Sequence, residues 1–167
     1  MHLALTDLFR AKWTDEIHDE WMRNVLEDRK DLTIAQLQRT RELMDLNVRD
    51  CKVTNYEELI PVLELPDSGD RHVLAAAIRS GADAIVTYNL KDFPTEVLSH
   101  WGLSAQHPDE FITHLLDLSP GVVCAAVKRQ RANLKNPPMT VEDLLLAFER
   151  QSLPQTVAEL HKYAALL

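Results

Sequence analysis

The chain has 167 residues, 46% of them hydrophobic, a formal charge of −8 and a pI near 5.3. That length suits one compact domain with a small appendage, and the acidic balance argues against a generic nucleic-acid coat. An enzyme that handles nucleic acid through metal ions and a local patch stays compatible with it. The two cysteines, Cys51 and Cys124, have no metal-ligand spacing and read as reduced, buried small hydrophobes. The first residues carry no basic region or cleavage site, and no run approaches about 18 uncharged apolar residues. A cytoplasmic protein that does not cross a membrane is expected.

Residues 3–9 read as the end of a helix, and Arg10–Trp13 as a short strand. Thr14 is a suitable cap for a helix to about Asp28, with Asp15 and Glu16 in its first turn. Ile17, Trp21 and Val25 form its apolar stripe, and Glu20 lies at the stripe's edge. A second helix is expected from about Thr33 to Leu46, with Leu37, Leu43 and Met44 inward. A strand over Asp50–Thr54 and a short helix over Tyr56–Ile60 follow. Pro61 and Pro66 bracket a loop. Asp70 opens an alanine-rich helix over Arg71–Ser80, closed by Gly81. Ala84–Tyr88 reads as a short buried strand. This alternation implies a parallel sheet with right-handed crossovers.

Pro94–His100 reads as helical, and His107-Pro108-Asp109 starts another helix. From Ser119-Pro120 the pattern is all-helical. Pro137-Pro138 marks a break, Thr140 caps Val141–Arg150, and Pro154 opens the last helix. The expected division is an α/β domain over 1–118 and a helical extension over 119–167. Leu144, Leu145, Phe148, Leu160 and Tyr163 form an apolar stripe there, read as packing on the core or on a dimer mate.

Asp70 at a helix start and Asp92 beyond a buried strand occupy positions that converge on one cleft in α/β sheets. Carboxylates gathered in a cleft suit Mg²⁺ or Mn²⁺, which take oxygen ligands and can activate water against a phosphodiester. Glu20 supplies a third carboxylate, Asp67 reaches in from the loop, and Asn89 orients Asp92 or a metal-bound water. Each has a structural alternative. Asp70 can be a helix cap, Asp92 and Asp67 turn residues, and Glu20 a solvated helix residue. His18 and His72 lie outside any zinc motif and read as surface residues or as residues behind the ligands. Lys128, Arg129, Arg131 and Lys135 form a basic cluster, read either as a solvated face or as a contact for RNA or an acidic partner.

Asp70-Arg71-His72-Val73-Leu74-Ala75-Ala76-Ala77, followed by Ile85-Val86-Thr87-Tyr88-Asn89-Leu90-Lys91-Asp92-Phe93-Pro94, closely resembles PIN-domain proteins of the VapC-like toxin group. Trp13–Trp21 and His107–Phe111 extend the similarity, and residues 119–167 look like the C-terminal extension of one subgroup. The resemblance implies a PIN-like central parallel sheet flanked by helices and an Mg²⁺- or Mn²⁺-dependent ribonuclease. Its substrate is RNA, its partner a small antitoxin protein, and a homodimer is compatible with it. The family's metal-binding and catalytic carboxylates fall on Glu20, Asp70 and Asp92, with Glu16 one turn from Glu20. Thr87 and Asn89 match polar positions beside the site. The family's usual first strand, ending in an aspartate, has no counterpart before Leu3, and Asp7 is the sole early acidic residue. Weakened metal binding and catalysis, with a gap in the core, are expected from that departure. The alternative is a catalytically silent PIN fold that binds an antitoxin, RNA or another copy of itself.

Overall fold

A computed structural model describes residues 2–135 and 137–167, which divide into two compact units. One holds Arg10–Ile85 and Asn89–Ala105. The other holds the segment ending at Phe9, with Val86–Tyr88 and Gln106–Leu167.

In the first unit, helix α1 (Asp15–Asp28) begins at Thr14, whose hydroxyl accepts the Ile17 amide at 3.1 Å. Helix α2 (Ile34–Asn47) begins at a reciprocal cap between Thr33 and Gln36 and packs on α1. The buried face of α1 carries His18 and Met22, one position round from the expected stripe; Ile17, Trp21 and Val25 are only half-buried. The cause is His18, which counts as polar in a hydropathy pattern but has both ring nitrogens engaged inside the fold. Trp21 donates its indole N–H to His18 Nδ1 at 2.8 Å, and His18 Nε2 lies 2.9 Å from Asp45 Oδ1. An indole only donates, so Nδ1 accepts and Nε2 carries the proton given to Asp45. Trp13 donates to the same Asp45 oxygen at 2.8 Å. His18 is therefore a fully buried tie between α1 and α2, not a surface residue.

The two strands expected over Arg10–Trp13 and Asp50–Thr54 meet in a single parallel bridge, Trp13 to Lys52. The Trp13 amide donates to the Cys51 carbonyl at 2.8 Å, and the Val53 amide to the Trp13 carbonyl at 2.9 Å. Pairing ends there because Thr14 starts a helix on one side. On the other, Asp50 and Asn55, at φ of 50° and 60°, turn the chain at both ends of the segment. The helix expected over Tyr56–Ile60 is a 3₁₀ helix at Glu57–Val62.

Helix α3 (Arg71–Ser80) is amphipathic, with Leu74 and Ala75–Ala77 buried. α3 packs against the 3₁₀ helix, the alanines adding little bulk, in a core with Val53, Tyr56, Leu63, Leu65, Ile85, Phe93, Leu98 and Leu103. Gly81 ends α3 at φ 62°, ψ 40°, the left-handed position that favours glycine. Strand β1 (Ala84–Val86) pairs in parallel with β2 (Ser104–Gln106), giving an α/β fold. β1 is shorter than expected, and only Ile85 is buried in it. A short helix, α4 (Thr95–Ser99), lies in the connection between them.

The second unit is built on α5 (Pro108–Leu118), α6 (Pro120–Asn133), α7 (Val141–Arg150) and α8 (Pro154–His161). Thr140 and Asp143 form a reciprocal cap on α7, and proline opens α5, α6 and α8. Leu144, Leu145 and Leu160 are buried with Leu115, Leu116, Val123 and Val127, while Phe148 and Tyr163 pack at the margin. The expected apolar stripe is thus spent inside this unit. Asp109 is 2% exposed. Its two carboxylate oxygens accept the amides of Gln155 (2.9 Å) and Thr156 (2.7 Å). It caps α8 from another helix, at the place where the N-cap residue, Leu153, has no side-chain acceptor to do so. Arg131 is also spent internally, its guanidinium reaching the carbonyls of Met139 (3.4 Å) and Leu167 (3.2 Å). Lys128, Arg129 and Lys135 stay exposed, so the basic cluster is split between a packing residue and a solvated face. Among the described residues no helix is long and apolar enough to cross a membrane.

Candidate functional site

Asp70 sits at the join between the 3₁₀ turn Ser68–Asp70 and α3. Its side chain makes no capping hydrogen bond to α3, so the helix-cap alternative does not use this carboxylate. Asp67 does have a structural use: its Oδ1 accepts the Gly69 amide at 2.7 Å and fixes the turn that delivers Asp70. Asp92 ends the 3₁₀ turn Leu90–Asp92 and is 9% exposed. The Asn89 side-chain amide donates to Asp92 Oδ2, which fixes one carboxylate oxygen. Thr87 belongs to the other unit, where its amide donates to the Gln106 carbonyl at 3.0 Å.

Glu16 and Glu20 project from adjacent turns of α1 toward one ring, that of His72 on α3. Glu20 Oε2 lies 3.4 Å from His72 Nε2, and Glu16 Oε2 lies 3.7 Å from His72 Nδ1. Glu16 also accepts a hydrogen bond from the Tyr56 hydroxyl at 3.3 Å. His72 is buried, at 5% exposure, and stands behind the glutamates rather than at the surface. Nothing local in the sequence marks Tyr56 or the burial of His72; both follow from the packing of α3 against its neighbours.

Electrostatics join these groups. The Asp70 carboxyl is held above its ordinary value of 3.8, first by burial and then by the negative charges of Asp67, Asp92 and Glu20, with His72 partly offsetting them. Glu20, Asp70, Asp92 and Asp67 therefore share one electrostatic neighbourhood. As a donor set they are all carboxylate oxygens, which fits a hard divalent cation and not a thiophilic one. Among the described residues no three His, Cys, Asp or Glu side chains stand close enough to enclose a metal ion. Mg²⁺ commonly takes one or two carboxylates and keeps several waters, so the donor chemistry fits it without such a cage.

A family model described as PIN domain matches residues 1–91, and one described as the VapC50 C-terminal domain matches residues 108–162. The chain belongs to the PIN-domain family. It is VapC-like and carries the C-terminal extension that the second model describes. Over 90 residues, 54% of its length, it is 42% identical to a protein of Mycobacterium tuberculosis (strain ATCC 25618 / H37Rv) named "Putative ribonuclease VapC50". That alignment covers 53% of the relative, so the chain spans about half the length of the curated protein it matches. No solved structure matches the chain.

Proposed function

We propose that this protein is a ribonuclease of the VapC type, hydrolysing RNA phosphodiesters with Mg²⁺ or Mn²⁺ and held in check by a small antitoxin protein. The observation that carries the reading is Asp70. Its carboxylate is unspent on its own helix and is crowded by Asp67, Asp92 and Glu20, an arrangement that disfavours the metal-free anion. Membership in the PIN family and the likeness to a relative named as a ribonuclease support it.

In this reading Asp70, Asp92 and Glu20 hold the cation directly or through water. The cation, when bound, supplies an activated water and neutralises charge on the phosphodiester. Asn89 keeps Asp92 turned so that one oxygen is occupied and the other remains for the site. Asp67 shapes the turn before α3 and adds to the negative field on Asp70.

Cleavage of a labelled single-stranded or hairpin RNA is expected with Mg²⁺ or Mn²⁺, to stop on adding EDTA and to return with excess Mn²⁺. Cleavage that persists in EDTA would overturn the metal-dependent reading. The second reading is a PIN fold that binds RNA, an antitoxin or another copy of itself without cutting. Retained RNA or antitoxin binding with no cleavage at any metal concentration establishes that alternative.

A further inference from the structure

His72 is a buried side chain that lies against both candidate glutamates. Its ring is wedged between two carboxylates four residues apart on α1, with a glutamate oxygen facing each nitrogen. At 5% exposure the ring has no room to swing into water, so it acts as a fixed stop for the longer, more exposed side chains in front of it. The two contacts are unequal. Glu16 stands further off, is bonded to Tyr56 as well, and leaves His72 Nδ1 without a hydrogen-bond partner. Glu20 is the nearer, and it is Glu20 whose charge reaches Asp70.

We propose that His72 is a positioning residue: its Nε2 holds Glu20 toward Asp70 and Asp92, while Tyr56 draws Glu16 aside. The inference rests on the carboxylate-site reading above. Without the ring, Glu20 is a half-exposed side chain on a helix surface with several rotamers open to it, few of which face Asp70. Partners that sit behind metal-binding side chains commonly matter for affinity even though they never touch the ion.

The probe is Mn²⁺ alone, titrated calorimetrically into the full chain. His72→Leu is expected to weaken Mn²⁺ binding roughly tenfold. His72→Gln, whose amide N–H can replace Nε2 toward Glu20, is expected to restore affinity close to the wild-type value. In a His72→Leu/Glu20→Gln double variant, the histidine change should add almost nothing to the loss from Glu20→Gln alone. Wild-type affinity in His72→Leu, or a His72→Gln variant as weak as His72→Leu, would overturn the proposal. The failure of the site reading shows differently: the wild-type protein would bind no Mn²⁺ at all. The ¹⁵N resonances of the His72 ring then decide the positioning by themselves, as they do if His72→Leu fails to fold. Glu20→Gln must shift the Nε2 resonance, and an unmoved Nε2 refutes the contact.

Discussion

Asp70→Asn is expected to lower metal-dependent RNA cleavage by roughly 100- to 1,000-fold, the scale seen when one preorganised electrostatic group is taken from an active site. The same substitution should make the metal-free protein more stable. The folded Asp70 carboxyl is held above 3.8 by burial and by Asp67, Asp92 and Glu20, so the folded chain takes up this proton more readily than the unfolded chain. Metal-free stability therefore falls as pH rises from the unfolded value through the raised folded value, and the full penalty stands at neutral pH. Asparagine removes the charge and keeps the shape, so a small rise in the metal-free melting point is expected, of the kind that accompanies relief of a strained site. Thermal melts in EDTA at neutral pH, run beside the cleavage assay, check both halves. Unimpaired cleavage would remove Asp70 from the site. A fall in metal-free stability would show that the carboxylate is structural.

Asp109→Ala should cost about 3 kcal/mol, through the loss of two charge-assisted caps and the exposure of a helix end to a buried void. For a chain of this size that corresponds to a melting point lower by roughly 6–12 °C. Burial alone would raise the Asp109 carboxyl, but the amides of Thr156 and Gln155 outweigh it and hold the group below its ordinary 3.8. Because the folded value is the lower one, the stability that Asp109 contributes is present above the unfolded value and is lost as pH falls through the folded one. The wild-type protein should thus lose this contribution in acid, and Asp109→Ala should show a flatter stability profile below about pH 4. Urea melts at several pH values test this. A cost under about 1 kcal/mol at neutral pH would mean that solvent or another side chain caps α8 equally well.

Helix boundaries were legible because their causes are local. Thr14, Thr33 and Thr140 each cap the helix that follows, and Gly81 supplies the left-handed stop. Asp70 was legible as a residue of interest but not as to use, since a cap and a free carboxylate occupy the same place in sequence. The missing capping bond separates them only in three dimensions. What stayed hidden depends on distant partners. Asp109 looks like an ordinary first-turn acid until α8 arrives 46 and 47 residues later. His18 looks polar until Trp21 and Asp45 satisfy it, and its burial then turns the inward face of α1 by one position. Arg131 looks like a member of a basic patch until the Met139 and Leu167 carbonyls engage it.

The network around His18 and Asp45 also sets the optical properties of the first unit. Two of the chain's three tryptophans, Trp13 and Trp21, donate their indole N–H groups into that network, whereas Trp101 is 46% exposed. Native emission is therefore expected to be a sum of unequal contributions, from a buried Trp13 and a half-buried Trp21 beside an imidazole and a carboxylate, and from one exposed indole. A collisional quencher acts on Trp101 first, and what remains is a signal native to the α1–α2 tie, an intrinsic probe that needs no label.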